Sequence, residues 1–279
     1  MEKEVRIKAS ITQLIPFFLL LPLLTLVFVL LFGSVIYVLA SSSHSIAVSM
    51  LEVLPSSYFI SAYITTLKVG LMVVLLSAIL SYPLAVYGRF VNFKVERLLS
   101  VVVFIPLMIN PLIRAFGWMI ILGREGVLNS ILMYFHIITH PLSILYTENA
   151  VVLGLLELFF PFMYLSLYSS LENIPEEYIL AAQSLGAGTL RVFLDIILPL
   201  SITGLATGAS IIMAGCAAAF VTPSILGGLK VKTLSVLLRE YVDIFLDWNV
   251  ATVIALVILA TTLLIIGVIN LVKKLVMRW

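Results

Sequence analysis

Three ionisable side chains stand where a polypeptide tolerates them least. Lys68, Arg114 and Glu157 each lie inside a long apolar run. A charge in hydrocarbon is costly, and where one occurs it is paired, faces a polar cavity or marks a pathway. Arg114 sits between Asn110-Pro111 and Gly117-Trp118, with Pro106 just before, a grouping that distorts a helix. Glu157 precedes Phe159-Phe160-Pro161-Phe162. Two readings of Glu157 stand open: a structural ion pair with Arg114 or Lys68, or a carboxylate that meets a cationic solute. Lys68 is placed to snorkel to the membrane surface. Arg114, Trp118 and Glu157 are thus the candidate pathway or intramembrane-charge residues.

Much other chemistry is excluded. No GxxxxGK[S/T] loop occurs, so the chain has no phosphate cradle of its own, and no Ser-His-Asp elbow or HExxH pattern is present. No catalytic residue is assigned and no enzyme is expected. The single cysteine, Cys216, excludes a disulfide framework and a cysteine metal cluster. His44, His136 and His140 are scattered, so neither a metal nor a cofactor is expected. A net charge of +2 gives no ground for a nucleic-acid partner.

A second stretch, Asn173–Pro199, is polar among apolar neighbours and carries helix punctuation. Pro175 suits the first helical position, and Glu176 and Glu177 favour the positive end of the helix dipole. Gly186 is placed to end that helix in the left-handed conformation. Thr189 is placed to cap a second short helix that stops at Pro199. The expectation is two short helices in a polar loop.

The elements that must position these groups follow from hydropathy. The chain is 62% hydrophobic and 11% charged, well outside the range of soluble domains. It reads as an all-α integral membrane protein in one domain over 1–279, immersed in the lipid bilayer. A span needs roughly 20 apolar residues. Six stretches qualify, at about 12–39, 58–87, 98–122, 150–168, 201–220 and 248–272, which puts the loop 173–199 between spans four and five. The first run is too long for a signal core and reads as an uncleaved span. With six spans, one side of the membrane holds ten lysines and arginines and the other four. The positive-inside rule then puts both termini and the loop 173–199 in the cytoplasm. Two long outward segments are expected: one with a short amphipathic helix at 126–135, the other with a breaker-rich loop at 222–228. Span five carries Gly204 and Gly208, a spacing that permits close packing either within this chain or against a second subunit.

With these residues in place, Asn173–Pro199 resembles the coupling motif of membrane permeases of bacterial ABC importers, EAA-x3-G-x9-I-x-L-P. Ala181, Ala182, Gly186, Ile196, Leu198 and Pro199 match in type and spacing; Leu180 stands where the family has glutamate, with Glu176 and Glu177 one turn earlier. The stretches 112–118, 121–129, 145–147, 161–163, 220–223 and 226–228 are similar to the spermidine/putrescine-type subgroup. The resemblance implies a multi-pass bacterial inner-membrane permease working with a second permease subunit (a heterodimer, with a homodimer as the alternative), two cytoplasmic ATP-binding subunits and a periplasmic solute-binding protein. It implies a polyamine as the solute, with an opine, a phosphonate or a ferric complex as alternatives. It also implies that Glu176, Glu177, Leu180, Ala181, Ala182, Gly186, Ile196, Leu198 and Pro199 couple the chain to the ATPase. An ion-coupled secondary carrier is the rival reading, with Glu157 as its sole candidate relay carboxylate; a non-transporting membrane scaffold is another.

Overall fold

The computed structural model describes residues 20–22, 24–33, 43–90 and 93–276. These divide into two compact units, Met1–Glu52 and Val53–Trp279. In the first, residues 20–22 and 24–33 are helical and end in a π turn, Val29–Gly33. The rest of the expected first span lies outside the described residues. The first unit also holds residues 43–52, and the second begins at Val53. Among the described residues there are helices and no strands. In lipid this is the open-ended solution, because a helix satisfies its own backbone polar groups.

In chain order the helices are α1 (Ser43–Val53), α2 (Ser57–Phe90), α3 (Phe93–Met108), α4 (Pro111–Leu122), α5 (Val127–Tyr134) and α6 (Glu148–Glu172). Then come α7 (Glu176–Ser184), α8 (Thr189–Leu200), α9 (Ile202–Ala218), α10 (Val221–Leu226), α11 (Leu234–Asp243) and α12 (Trp248–Val276). Among the described residues, three helices are continuous and apolar enough to cross a membrane: α2, α6 and α12 over Trp248–Leu275. Two further candidates are bent.

The expected span 98–122 is one of these. It is broken, not merely distorted, with a 103° turn between Val101–Met108 and Pro111–Tyr134. Pro111 at the start of α4 cannot donate to the preceding turn, and the Asn110 side chain accepts from Leu112 N at 2.9 Å, capping a fresh helix. The other bent pair joins α8 to α9 at 61°. α8 ends at Leu200, one residue after the expected stop at Pro199. A π turn, Phe193–Ile197, precedes it, with Leu198 N bonded to Phe193 O. That wider turn absorbs the missing donor, and the bend falls at Ser201 instead. The breaker-rich segment also differs from expectation. Pro223 sits in the first turn of α10, where it removes no helical bond, and only Gly228, at φ +55°, makes the turn.

The core is built on α6, which is flanked by α2 and α9. Val151, Leu155, Met163, Tyr164, Leu167 and Leu171 are all buried. The small residues of α9 let it lie directly on α6. A Cβ at Gly204 would stand 2.3 Å from Ser166 O, one at Gly208 2.7 Å from Met163 Sδ, and one at Gly215 2.2 Å from the Phe159 ring. Of the two uses open to Gly204 and Gly208, packing within this chain is what the structure contains. Ser170 Oγ and Thr203 Oγ1 share a hydrogen bond of 2.8 Å along the same seam.

At the other end, Lys232 ties the segment after α10 to its surroundings. Its Nζ donates to Tyr58 Oη at 2.6 Å and to Glu240 Oε2 at 2.9 Å. Burial pulls the pKa of this ammonium down, but the Glu240 and Tyr58 hydrogen bonds outweigh it and hold the pKa above the ordinary lysine value. Asn129 is fully buried and fully bonded, donating to Gly123 O and Leu142 O and accepting from Leu142 N.

Gly204→Ala is expected to destabilise the chain by about 1–3 kcal/mol, the usual cost of overpacking. Gly267→Ala, with nothing within 4 Å, is expected to be neutral or stabilising. Thermal melts of the two variants in detergent, followed by monodisperse fraction, check both; equal melting temperatures would remove Gly204 from the seam.

Candidate functional site

Two groups of functional side chains emerge. The first is the loop from α7 to α8. Pro175 is the N-cap residue of α7 rather than its first helical residue, and Glu176 and Glu177 occupy the first turn. The helix ends as its glycine predicts. Gly186 has φ +87°; Gly186 N bonds to Gln183 O at 2.9 Å and Ala187 N to Ala182 O at 3.0 Å. These two bonds are the paired closures of a Schellman cap. They explain the Ala182-to-Gly186 spacing: the cap requires a left-handed residue at that distance from its acceptor. Thr189 does not cap α8. Gly188 holds that position, with no side-chain bond.

The faces of α7 are sorted by burial. Ile179, Ala182 and Ala187 pack against the chain's own core. Tyr178, Leu180 and Leu185 point outward, with Leu180 59% and Leu185 90% exposed. Ile179 is therefore turned inward. Ala181 and Glu177 are exposed. In α8, Ile197 is buried, Ile196 and Leu198 are half-buried, and Pro199 is exposed.

Glu176 is held from within the chain. Arg89 Nη1, at the end of α2, donates to its Oε1 at 2.9 Å. A groove of ≈ 690 Å³ lies between Val86 and Phe90 of α2 and Ile179, Leu180, Leu190 and Phe193 of the loop. At the far end of the loop, Tyr82 Oη and Ser201 Oγ share a hydrogen bond of 3.1 Å, and Ser201 is fully buried. Arg89, Tyr82 and Ser201 carry no motif signal; Arg89 stands out only as a basic residue at the end of an apolar run.

The second group is intramembrane. The structure brings Arg114, Trp118 and Glu157 together. Trp118 Nε1 donates to Glu157 Oε2 at 2.5 Å, and Arg114 Nε lies 3.6 Å from the same oxygen. Arg114 Nη1 donates to Pro106 O at 2.8 Å, a carbonyl in the last turn of α3. One guanidinium thus joins the two halves of the broken span to the central helix α6. The Arg114 side chain is 5% exposed and Glu157 25%, so the carboxylate is the reachable member. Arg114 Nη2 is buried with no hydrogen-bond partner among the described residues. The pair is neutral overall, as a low dielectric demands. Lys68 is elsewhere, 2.5 Å from Glu148 at the start of α6 and half exposed. Among the described residues no group of His, Cys, Asp or Glu is arranged to hold a metal ion.

Residues 77–278 match the family described as binding-protein-dependent transport system inner membrane component. The chain is 32% identical over 203 residues to the spermidine/putrescine transport system permease protein PotB of Escherichia coli (strain K12), covering 72% of this chain and 74% of that one. The fold resembles that of a chain in the crystal structure of a bacterial ABC transporter involved in the import of the acidic polysaccharide alginate. The TM-score is 0.75 at 16% identity, covering 96% of this chain and 98% of that one. It also resembles a chain of bacterial alginate ABC transporter in complex with alginate pentasaccharide-bound periplasmic protein, with TM-score 0.71 at 16% identity, covering 96% and 97%.

Removing either member of the intramembrane pair strands the other. Arg114→Met and Glu157→Met are each expected to cost about 2–4 kcal/mol, near the lower part of the range for buried pairs because Glu157 is partly exposed. The double variant is expected to recover most of the folded yield. A double variant no better than the worse single one would show that the two do not act as a pair.

Proposed function

Because this chain belongs to the binding-protein-dependent transport system inner membrane component family, we propose that its α7–α8 loop is the lever by which cytoplasmic ATP-binding subunits drive it. The chain is a permease subunit of an ABC importer; hydrolysis falls to two separate ATPase subunits, and a second, non-identical permease completes the membrane pore. A periplasmic binding protein delivers the solute. The lysine and arginine bias supports cytoplasmic termini and a cytoplasmic loop. A polyamine is the favoured solute, on the identity to the spermidine/putrescine permease.

The observation that carries the lever is the rigidity of the loop combined with its exposed apolar face. The Schellman cap and the Arg89–Glu176 bridge hold α7, while Leu180 and Leu185 present carbon outward. An amphipathic helix of this kind suits a groove on a partner. Leu180 replaces the family's glutamate, so the contact here is apolar. Glu176 bonds to Arg89 with its side chain still 63% exposed, so both Glu176 and Glu177 are open to a partner.

Movement has a packed route inward. α8 passes through the bend at Ser201 into α9, which has no space to slide independently of α6 at Gly204 and Gly208. α6 carries Glu157, and Glu157 holds Trp118 and Arg114 of the broken span. Closure of the ATPase pair therefore biases the intramembrane cluster between two arrangements, as alternating access requires. In this reading Arg114, Trp118 and Glu157 form a gate on the solute pathway, and Glu157 is the group a solute reaches.

Gly186→Leu forces a branched side chain into the left-handed region, at about 1–2 kcal/mol. The variant is expected to assemble with its ATPase yet lose stimulation of hydrolysis by solute-loaded binding protein; full stimulation would refute the lever. ATP-driven uptake of labelled spermidine into vesicles of the complete transporter tests the solute. Uptake of a phosphonate instead would replace the solute and leave the importer intact.

A further inference from the structure

An apolar patch at the turn before α12 is used by neither of the groups described above. Ile244, Phe245, Leu246 and Trp248 are 69%, 61%, 69% and 66% exposed. The turn is built rather than loose. Ile244 N and Phe245 N both donate to Glu240 O, at 2.9 and 3.0 Å, and Asp247 N donates to Tyr241 O at 2.9 Å. Asp247 Oδ1 then accepts from Asn249 N and Val250 N, both at 3.1 Å, and so caps α12. The Phe245 ring rests on Tyr241, with centroids 5.1 Å apart. Leu246 has φ +54°, a conformation glycine adopts at little cost and leucine does not. A bulky side chain held outward at a strained position needs a reason beyond the turn itself.

The surroundings name the occupant. Trp248 opens a helix long and apolar enough to cross a membrane, of whose most apolar window only 11% is buried within the chain. Its outer face, with Leu259, Leu263 and Leu264 at 49%, 61% and 65% exposure, continues the patch away from the turn. An indole, a phenyl ring and two aliphatic groups at the end of a span suit the boundary between headgroups and acyl chains. On α11, just before the turn, Arg239 and Asp243 form an exposed ion pair. We infer that the turn 244–248 is an interfacial membrane anchor, seated in the headgroup–acyl boundary, which sets the depth of α12 in the bilayer.

The test uses the complete transporter in bilayers of phosphatidylethanolamine and phosphatidylglycerol. In a Cys216→Ala background, Phe245→Cys carries a nitroxide, and Leu264→Cys serves as a lipid-facing reference. The label at 245 is expected to be reached by oxygen more than by a water-soluble nickel chelate, at a shallower depth than the label at 264. Addition of solute-loaded binding protein is expected to leave it unchanged. Independently, brominated lipid is expected to quench native Trp248, measured as the difference from Trp248→Phe, which keeps the unlabelled turn intact. Three results would overturn the anchor. Dominant access by the nickel chelate would place the turn in water. Loss of both accessibilities on adding binding protein would make it that protein's docking surface. Low accessibility to both reagents from the start, with no quenching, would assign it to the second permease subunit.

Discussion

A Cβ at Gly204 would stand 2.3 Å from the Ser166 carbonyl oxygen, and much else depends on that lack of space. Because α9 has no side chain there, it lies directly on the backbone of α6. Because it lies there, the bend at Ser201 ends against a surface that cannot yield without moving α6. Helix association in lipid gains little from hydrophobic burial, since lipid tails are as apolar as leucine, so close van der Waals contact between small residues carries the joint. The Ser170–Thr203 hydrogen bond adds direction to a seam that packing has already set.

α6 in turn holds the charges. A guanidinium in hydrocarbon needs a counter-charge and acceptors, and Arg114 finds them across the break on α3 and on α6. The carbonyl of Pro106 is available because the helix stops there, and Glu157 is available because α6 passes alongside. The break and the arginine therefore support one another. The Pro106 carbonyl also accepts from Ile109 N at 3.3 Å, so the guanidinium adds a second donor at the end of α3. Trp118 closes the arrangement by donating to the same carboxylate oxygen. The cluster is neutral as a whole, yet its carboxylate remains partly reachable.

The loop between α7 and α8 divides its labour by side-chain type. Alanines and Ile179 meet the chain's own core, leucines face away from it, and Glu176 is taken by Arg89. The departure at Leu180 is consistent with that division. An exposed leucine on a braced helix offers area rather than charge, and its exposed neighbour Leu185 extends the same surface.

What the sequence determined by itself was whatever depends on composition or on neighbours within one or two turns. Hydropathy set the helical membrane class, because lipid admits few backbone solutions. The spacing from Ala182 to Gly186 set the Schellman cap, since both of its bonds close within six residues. The distortion around Pro106 and Pro111 was equally local, but the size of the 103° break was not, and the π turn ahead of Pro199 carried no sequence signal. Tertiary structure alone decided the pairings. Trp118 meets Glu157 across 39 residues, Arg89 meets Glu176 across 87, and Tyr82 meets Ser201 across 119. An ionisable residue in an apolar run announces that it needs a partner, but several candidates satisfy that need equally in sequence. Only the tertiary packing, which sets Arg114 of α4 against Glu157 and Lys68 of α2 against Glu148, selects among them.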